Sequence, residues 1–107
     1  MEQTARFDEG DLTLDSVYRL QLFIAGASPN STRAVSNIRK ICETYLKDNY
    51  ELEIIDIHQQ PIAAQIAQVI ALPLLIKSSP SPSRRMIGDM SDSKKVLAGL
   101  GYREEGI

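Results

Sequence analysis

The chain has one cysteine, one histidine and no tryptophan in 107 residues, and these scarcities already exclude several kinds of chemistry. A lone thiol, Cys42, cannot close an internal disulfide, which points to a reducing, cytoplasmic setting. One Cys and one His cannot assemble the ligand set of a structural zinc site, so no metal and no cofactor are expected. There is no Cys-x-x-Cys pair, and dithiol exchange has nothing to act with. No apolar run approaches the ~18 residues of a membrane-spanning helix. The first residues are acidic, unlike the basic start and apolar run of a secretory signal. The net charge is −2 with no dense basic stripe, so neither nucleic acid nor a membrane surface is an expected partner.

What charge there is lies unevenly. Residues 1–16 hold Glu2, Asp8, Glu9, Asp11 and Asp15 against Arg6 alone, without sustained periodicity, and read as a flexible acidic arm. Residues 17–107 then read as one domain, long enough for a thin core.

Within that domain the apolar pattern alternates between strand and helix. Tyr18, Leu20 and Leu22 alternate with Arg19 and Gln21, and the run becomes wholly apolar at Phe23 and Ile24. This is the pattern of a strand that ends buried inside a sheet. Ser28 can cap a helix that has Pro29 at its first position and runs to about Lys47. Its inner face would carry Ala34, Val35, Ile38, Ile41, Cys42, Tyr45 and Leu46. A strand over residues 52–57 completes a βαβ unit with parallel strands. Pro61 opens a second helix, with Ile62, Ala63, Ile66, Ala67 and Ile70 predicted on its inner face. Residues 72–77 form a third strand, the Pro80/Pro82 segment a turn, and residues 85–90 a short fourth strand. A final helix, capped by Ser91, extends to Leu100. The order βαβαββα, with a proline at Pro73 opening the third strand, describes an α/β single domain of thioredoxin-like type. The turn that holds the redox cysteines in that fold is Ser28-Pro29-Asn30-Ser31 here, so a binding module is expected rather than an enzyme.

Three stretches resemble the KaiB family of clock proteins and the related thioredoxin-like sensor domains. They are Leu22-Phe23-Ile24-Ala25-Gly26 followed by Ser28-Pro29-Asn30-Ser31 and Arg33-Ala34; Ile55-Asp56-Ile57 with Pro61 downstream; and Met86-Ile87-Gly88-Asp89-Met90-Ser91-Asp92 followed by Lys95-Val96-Leu97. The resemblance implies a non-enzymatic regulator that binds a KaiC-like hexameric ATPase and, in that setting, captures a KaiA-like protein or displaces a histidine kinase. It also implies a metamorphic chain, with a self-associating dimeric or tetrameric form beside the thioredoxin-like one. Basic residues at Arg33, Lys77, Arg84 and Arg85 then form a docking set for an acidic patch on the ATPase. Pro73 is the expected cis proline, and Pro73, Pro80 and Pro82 are the candidates for slow steps in a fold change.

The chain departs from the family pattern at Ser81, which breaks a proline run, and at Ala98 and Gly101, which replace larger or acidic side chains. Glycine weakens a strand, so these changes favour the thioredoxin-like state. Two other functional classes fit the same scaffold: a signalling or stress-response adaptor without an oscillator, and a thioredoxin-type redox protein, against which the missing dithiol argues. Cys42 reads as core, His58 as a loop or capping residue, and Asp92 as favourable at a helix start.

Overall fold

The computed structural model describes residues 17–102; the acidic arm expected over residues 1–16 lies outside the described residues. Four strands form one sheet: β1 (Tyr18–Ile24), β2 (Tyr50–Asp56), β3 (Leu74–Ser79) and β4 (Arg84–Ile87). Three helices accompany them: α1 (Pro29–Ile41), α2 (Pro61–Ile66) and α3 (Ser93–Leu100). The strand order is β2-β1-β3-β4. β1 and β2 are parallel, with Tyr18 opposite Tyr50 and Ile24 opposite Asp56, as the βαβ pattern requires. β3 runs antiparallel to β1, and β4 antiparallel to β3. The register shifts between Arg19 and Leu20, which face Ser79 and Lys77 and leave Ser78 as a bulge.

Alternation along β1 sets the two faces of the sheet. Leu20 and Leu22 join Leu75 on one face, where α1 and α3 cover them with Ala34, Ile38, Ile41, Cys42, Val96 and Leu100. Cys42 is fully buried there, as its place in the apolar stripe predicts. Ser28 caps α1 as expected, and its hydroxyl accepts the Ser31 N–H. Regular α-helix stops at Ile41, and the segment to Leu46 winds on as a wider π-type turn.

The opposite face is thinner. Among the described residues only Phe23, Ile55 and Leu74 are buried in this cluster, beneath Ala63, Ala67 and Val69 of α2 and the segment after it. The inner face expected for this helix is therefore only half right. Ala63 and Ala67 pack inward, whereas Ile62, Ile66 and Ile70 are 67%, 78% and 90% exposed. α2 has six residues, too few turns to bury both apolar rows against a sheet with so small a buried patch. The cap of α3 also differs: the Asp92 carboxylate, not Ser91, accepts the Lys95 N–H at 3.1 Å. β3 starts two residues later than the apolar run suggests, because Pro73 supplies no N–H to the ladder.

Candidate functional site

The segment Gly88-Asp89-Met90-Ser91-Asp92 between β4 and α3 is held from three sides. Gly88 has φ +126°, a conformation that favours glycine, and its N–H donates to the Pro73 carbonyl at 3.0 Å. Asp89 is fixed to α1 twice. The Arg33 Nε donates to its carboxylate at 3.2 Å, and the Asn37 side-chain amide donates to its backbone carbonyl at 2.9 Å. The Ser91 N–H closes an Asx turn on the same carboxylate at 3.0 Å. Hydrogen bonds from Ser91 and the Arg33 guanidinium hold the Asp89 carboxyl below the usual carboxylate range. Met90 adopts φ +62° and drops its side chain into the core, which pins the loop between its two polar ends.

Two open clefts flank this junction. One, of about 460 Å³, lies along the loop and is bordered by Arg85, Asp89, Asp92 and Lys95. The other, of about 320 Å³, lies between the Ser28-Pro29-Asn30-Ser31 turn and Leu72-Pro73. Pro73 thus borders one cleft while its carbonyl anchors the loop of the other. The Leu72–Pro73 peptide bond is cis, as are Ser79–Pro80 and Ser81–Pro82.

The serine turn is occupied with its own structure. Ser28 and Ser31 hydroxyls are 2.8 Å apart, and the Ser31 hydroxyl accepts the Ala25 N–H at 3.0 Å. Ser31 is buried, so its hydroxyl fastens β1 to α1. Asp56 performs the same service from β2, accepting the Gly26 N–H at 3.1 Å and the His58 N–H at 2.9 Å. The His58 ring stands beside Gly26, where a Cβ would lie 3.3 Å from Nδ1. These groups position the turn and leave no hydroxyl paired with an imidazole base.

Of the four basic residues predicted as a docking set, the structure keeps three at the surface. Arg33, Arg84 and Arg85 are exposed. Arg33 and Arg85 flank the same loop, Arg33 through Asp89 and Arg85 along the cleft. Arg85 also donates to the Ala67 and Gln68 carbonyls at the end of α2, where a cation is favourable. Lys77 leaves the set. It is 2% exposed, and its ammonium donates to the Leu100 carbonyl at 3.2 Å, beneath α3. The alternation of β3 turns it to the α3 side, opposite to the neighbouring Ile76. Burial, and then the nearby Arg84 charge, push its pKa down. Asn37 was not anticipated; its position four residues after Arg33 on α1 is the one signal that could have marked it. The Arg33–Asp89 pairing spans 56 residues and has no local signature.

The KaiB domain model matches residues 21–102, a span that takes in the serine turn, Pro73 and the whole loop that Arg33 and Asn37 hold. The chain belongs to the KaiB family. Its relatives include the circadian clock protein KaiB3 of Synechocystis sp., 46% identical over 88 residues, which are 82% of this chain and 86% of that one. They also include the circadian clock oscillator protein KaiB of Prochlorococcus marinus, 47% identical over 78% of this chain and 79% of its own length. Solved structures place the KaiB domain in the thioredoxin-like fold class. The N-terminal domain of Synechococcus elongatus SasA matches at TM-score 0.66 and 22% identity, over 86% of this chain and 90% of that one. The thioredoxin Deadhead of Drosophila melanogaster matches at TM-score 0.66 and 12% identity, over 92% of both chains. Among the described residues no helix is long and apolar enough to cross a membrane.

Proposed function

We propose that this protein is a KaiB-type regulator that docks on a KaiC-type hexameric ATPase and acts in clock or clock-related signalling, by binding rather than by catalysis. The observation that carries the reading is family membership across the loop junction, supported by 46% identity to a circadian clock protein. The docking surface is the Asp89 loop with Arg33, Arg84 and Arg85 around it. Charge there governs association rate and partner choice more than final affinity. The same reading brings a KaiA-like protein or a histidine kinase as a further partner, self-association as an alternative state, and the cytoplasm as the place of action.

The mechanism is population shift. A partner that binds the thioredoxin-like form raises its share by its differential affinity for the two forms. Gly101 supports a bias toward that form. It follows α3 at φ +76°, and its N–H and that of Tyr102 bond back to the Ala98 and Leu97 carbonyls, a glycine-favouring helix stop.

The test is native mass spectrometry of the protein alone and with the KaiC-type ATPase of its own organism. Loading of up to six copies per hexamer, reduced by Arg84→Glu, supports the reading. No loading under any nucleotide condition overturns it. Strand signals across residues 94–101 in an NMR assignment of the free protein would refute the stated bias.

A further inference from the structure

Helix α3 comes closest to β4 where Gly99 lies over Met86. Met86 pairs with Leu75 across the β3–β4 ladder and packs with it on the α3 side of the sheet, while its neighbours Arg85 and Ile87 are exposed on the other. A Cβ built on Gly99 would overlap the Met86 sulfur and stand 3.2 Å from both its Cγ and its Cε. The thioether therefore lies against the bare backbone of α3. Gly99 is inside the helix and has no positive φ, so no turn requires a glycine there. Glycine weakens a helix interior, and the room it leaves here is filled by the thioether. No further atom fits between the sulfur and the helix.

Met86 is open on one side. It is half-buried and borders the cleft of about 460 Å³ beside the Asp89 loop. Lys95 and Val96 border the same cleft, and they stand four and three residues before Gly99, one turn along the same side of α3. Met90 also borders it, but is 5% exposed and belongs to the core. Among the described residues Met86 is thus the methionine that a small neutral oxidant entering the cleft meets first.

We propose that Met86 is an oxidation site whose modification loosens α3, with a hydroperoxide as the oxidant. A sulfur lone pair attacks one peroxide oxygen, and the S–O bond forms as the O–O bond breaks. The hydroxide that leaves takes the proton from the transferred oxygen, so thioether and hydrogen peroxide give sulfoxide and water. Sulfur loses the electron pair that the peroxide gains. The product carries a polar oxygen on the atom that Gly99 covers. In that seam the oxygen is stripped of water and crowds the helix backbone. Gly99 shares the last turn of α3 with Leu100, whose carbonyl takes the Lys77 ammonium, and it precedes the Gly101 stop. Displacement at Gly99 therefore frees the end of α3 first. Methionine sulfoxide is reducible by dedicated reductases, so the change is reversible. Loss of α3 would weaken the thioredoxin-like form and with it ATPase docking. That consequence rests on the function proposed above; the modification itself does not.

The experiment treats the full chain with hydrogen peroxide at neutral pH and maps the oxidised peptides by mass spectrometry. Met86 is expected to gain one oxygen while Met90 stays unmodified, and the two to react alike in urea. Hydrogen exchange of the oxidised protein is expected to lose protection at Leu97 and Leu100 and to keep it at Leu22 and Ile55. Methionine sulfoxide reductase is expected to restore the lost protection. Met86→Leu conserves volume and takes up no oxygen at this position, so its α3 protection survives peroxide. Equal oxidation of Met86 and Met90 in the folded protein overturns the inference. So does an oxidised Met86 with α3 protection unchanged, or loosening of α3 by peroxide in the Met86→Leu protein. Exchange that stays fast after reduction overturns it as well, in the unmutated chain. No ATPase is present, so failure here leaves the proposed function standing. Failure of the unoxidised protein to load the ATPase leaves this result intact.

Discussion

The Lys77 ammonium donates to the Leu100 carbonyl at 3.2 Å, which ties the buried middle of β3 to the last turn of α3. A cation at a helix C-terminus is favourable, but here it is drawn out of water with one carbonyl acceptor. The result is a lysine with a depressed pKa. Its folded pKa lies below the unfolded value near 10.5, so the unfolded chain binds more protons in that window. Stability from this group therefore rises as pH climbs from the folded pKa toward 10.5. Lys77→Met keeps the packing and removes the charge. It is expected to equal or exceed the parent in stability near neutrality and to lose this part of the pH slope. Urea midpoints of both proteins from pH 7 to 10 check it. A loss of several kcal/mol in the Met variant would show that the ammonium holds α3 in place.

Cys42 supplies a second pH dependence of opposite sign. Burial, aided by the neighbouring Glu43 charge, pushes its thiol up to about 12. The folded pKa is raised, so the protonated thiol's contribution is complete below the unfolded value of 9.0 and declines as pH rises from 9.0 toward about 12. At pH 8 the native thiol is expected to resist a thiol reagent and to react only at the rate of unfolding. Rapid reaction without denaturant would contradict its burial.

The Arg33–Asp89 pair is half exposed, so it should add little stability, ~0.2–1 kcal/mol. Arg33→Ala is expected to leave the melting temperature nearly unchanged while altering the loop's chemical shifts and, under the function proposed above, slowing ATPase association. Asn37→Ala is expected to be more damaging, since the partly buried Asp89 carbonyl loses its donor, at about 1–3 kcal/mol. Thermal melts of both variants rank the two contacts, and the reverse order would refute this account of the loop.

Gly101 sits at φ +76°, where an L side chain is strained. Gly101→Asp is expected to destabilise the thioredoxin-like form by about 1–2 kcal/mol and to fray α3 first. Hydrogen exchange at Leu97 and Leu100 reads this directly. Unchanged protection there would remove Gly101 from the bias proposed above.

Ile66 gives the plainest test of the α2 face. Its 78% exposure means that Ile66→Gln should change stability by less than about 0.5 kcal/mol. A buried isoleucine truncated to a small residue loses about 2–5 kcal/mol. A large loss in a denaturant titration would restore the inner face that periodicity suggests.

Local rules explain most of what was legible in advance. The alternation in Tyr18–Ile24, the Ser28 cap with Pro29 behind it, and the apolar stripe through Cys42 each encode structure within a few residues, so the strands, α1 and the thioredoxin-like order follow from the sequence. The absence of a dithiol is likewise fixed by composition alone. Tertiary structure decided everything that depends on which element lies opposite. Lys77 reads as a surface cation until β3 is turned beneath α3. Ile62, Ile66 and Ile70 read as core until the sheet proves to offer α2 only a small apolar patch. Arg33 and Asp89 are unrelated letters until α1 and the β4–α3 loop are brought together across 56 residues. Periodicity reports that a side chain would gain from burial, but only packing settles whether a surface exists to bury it.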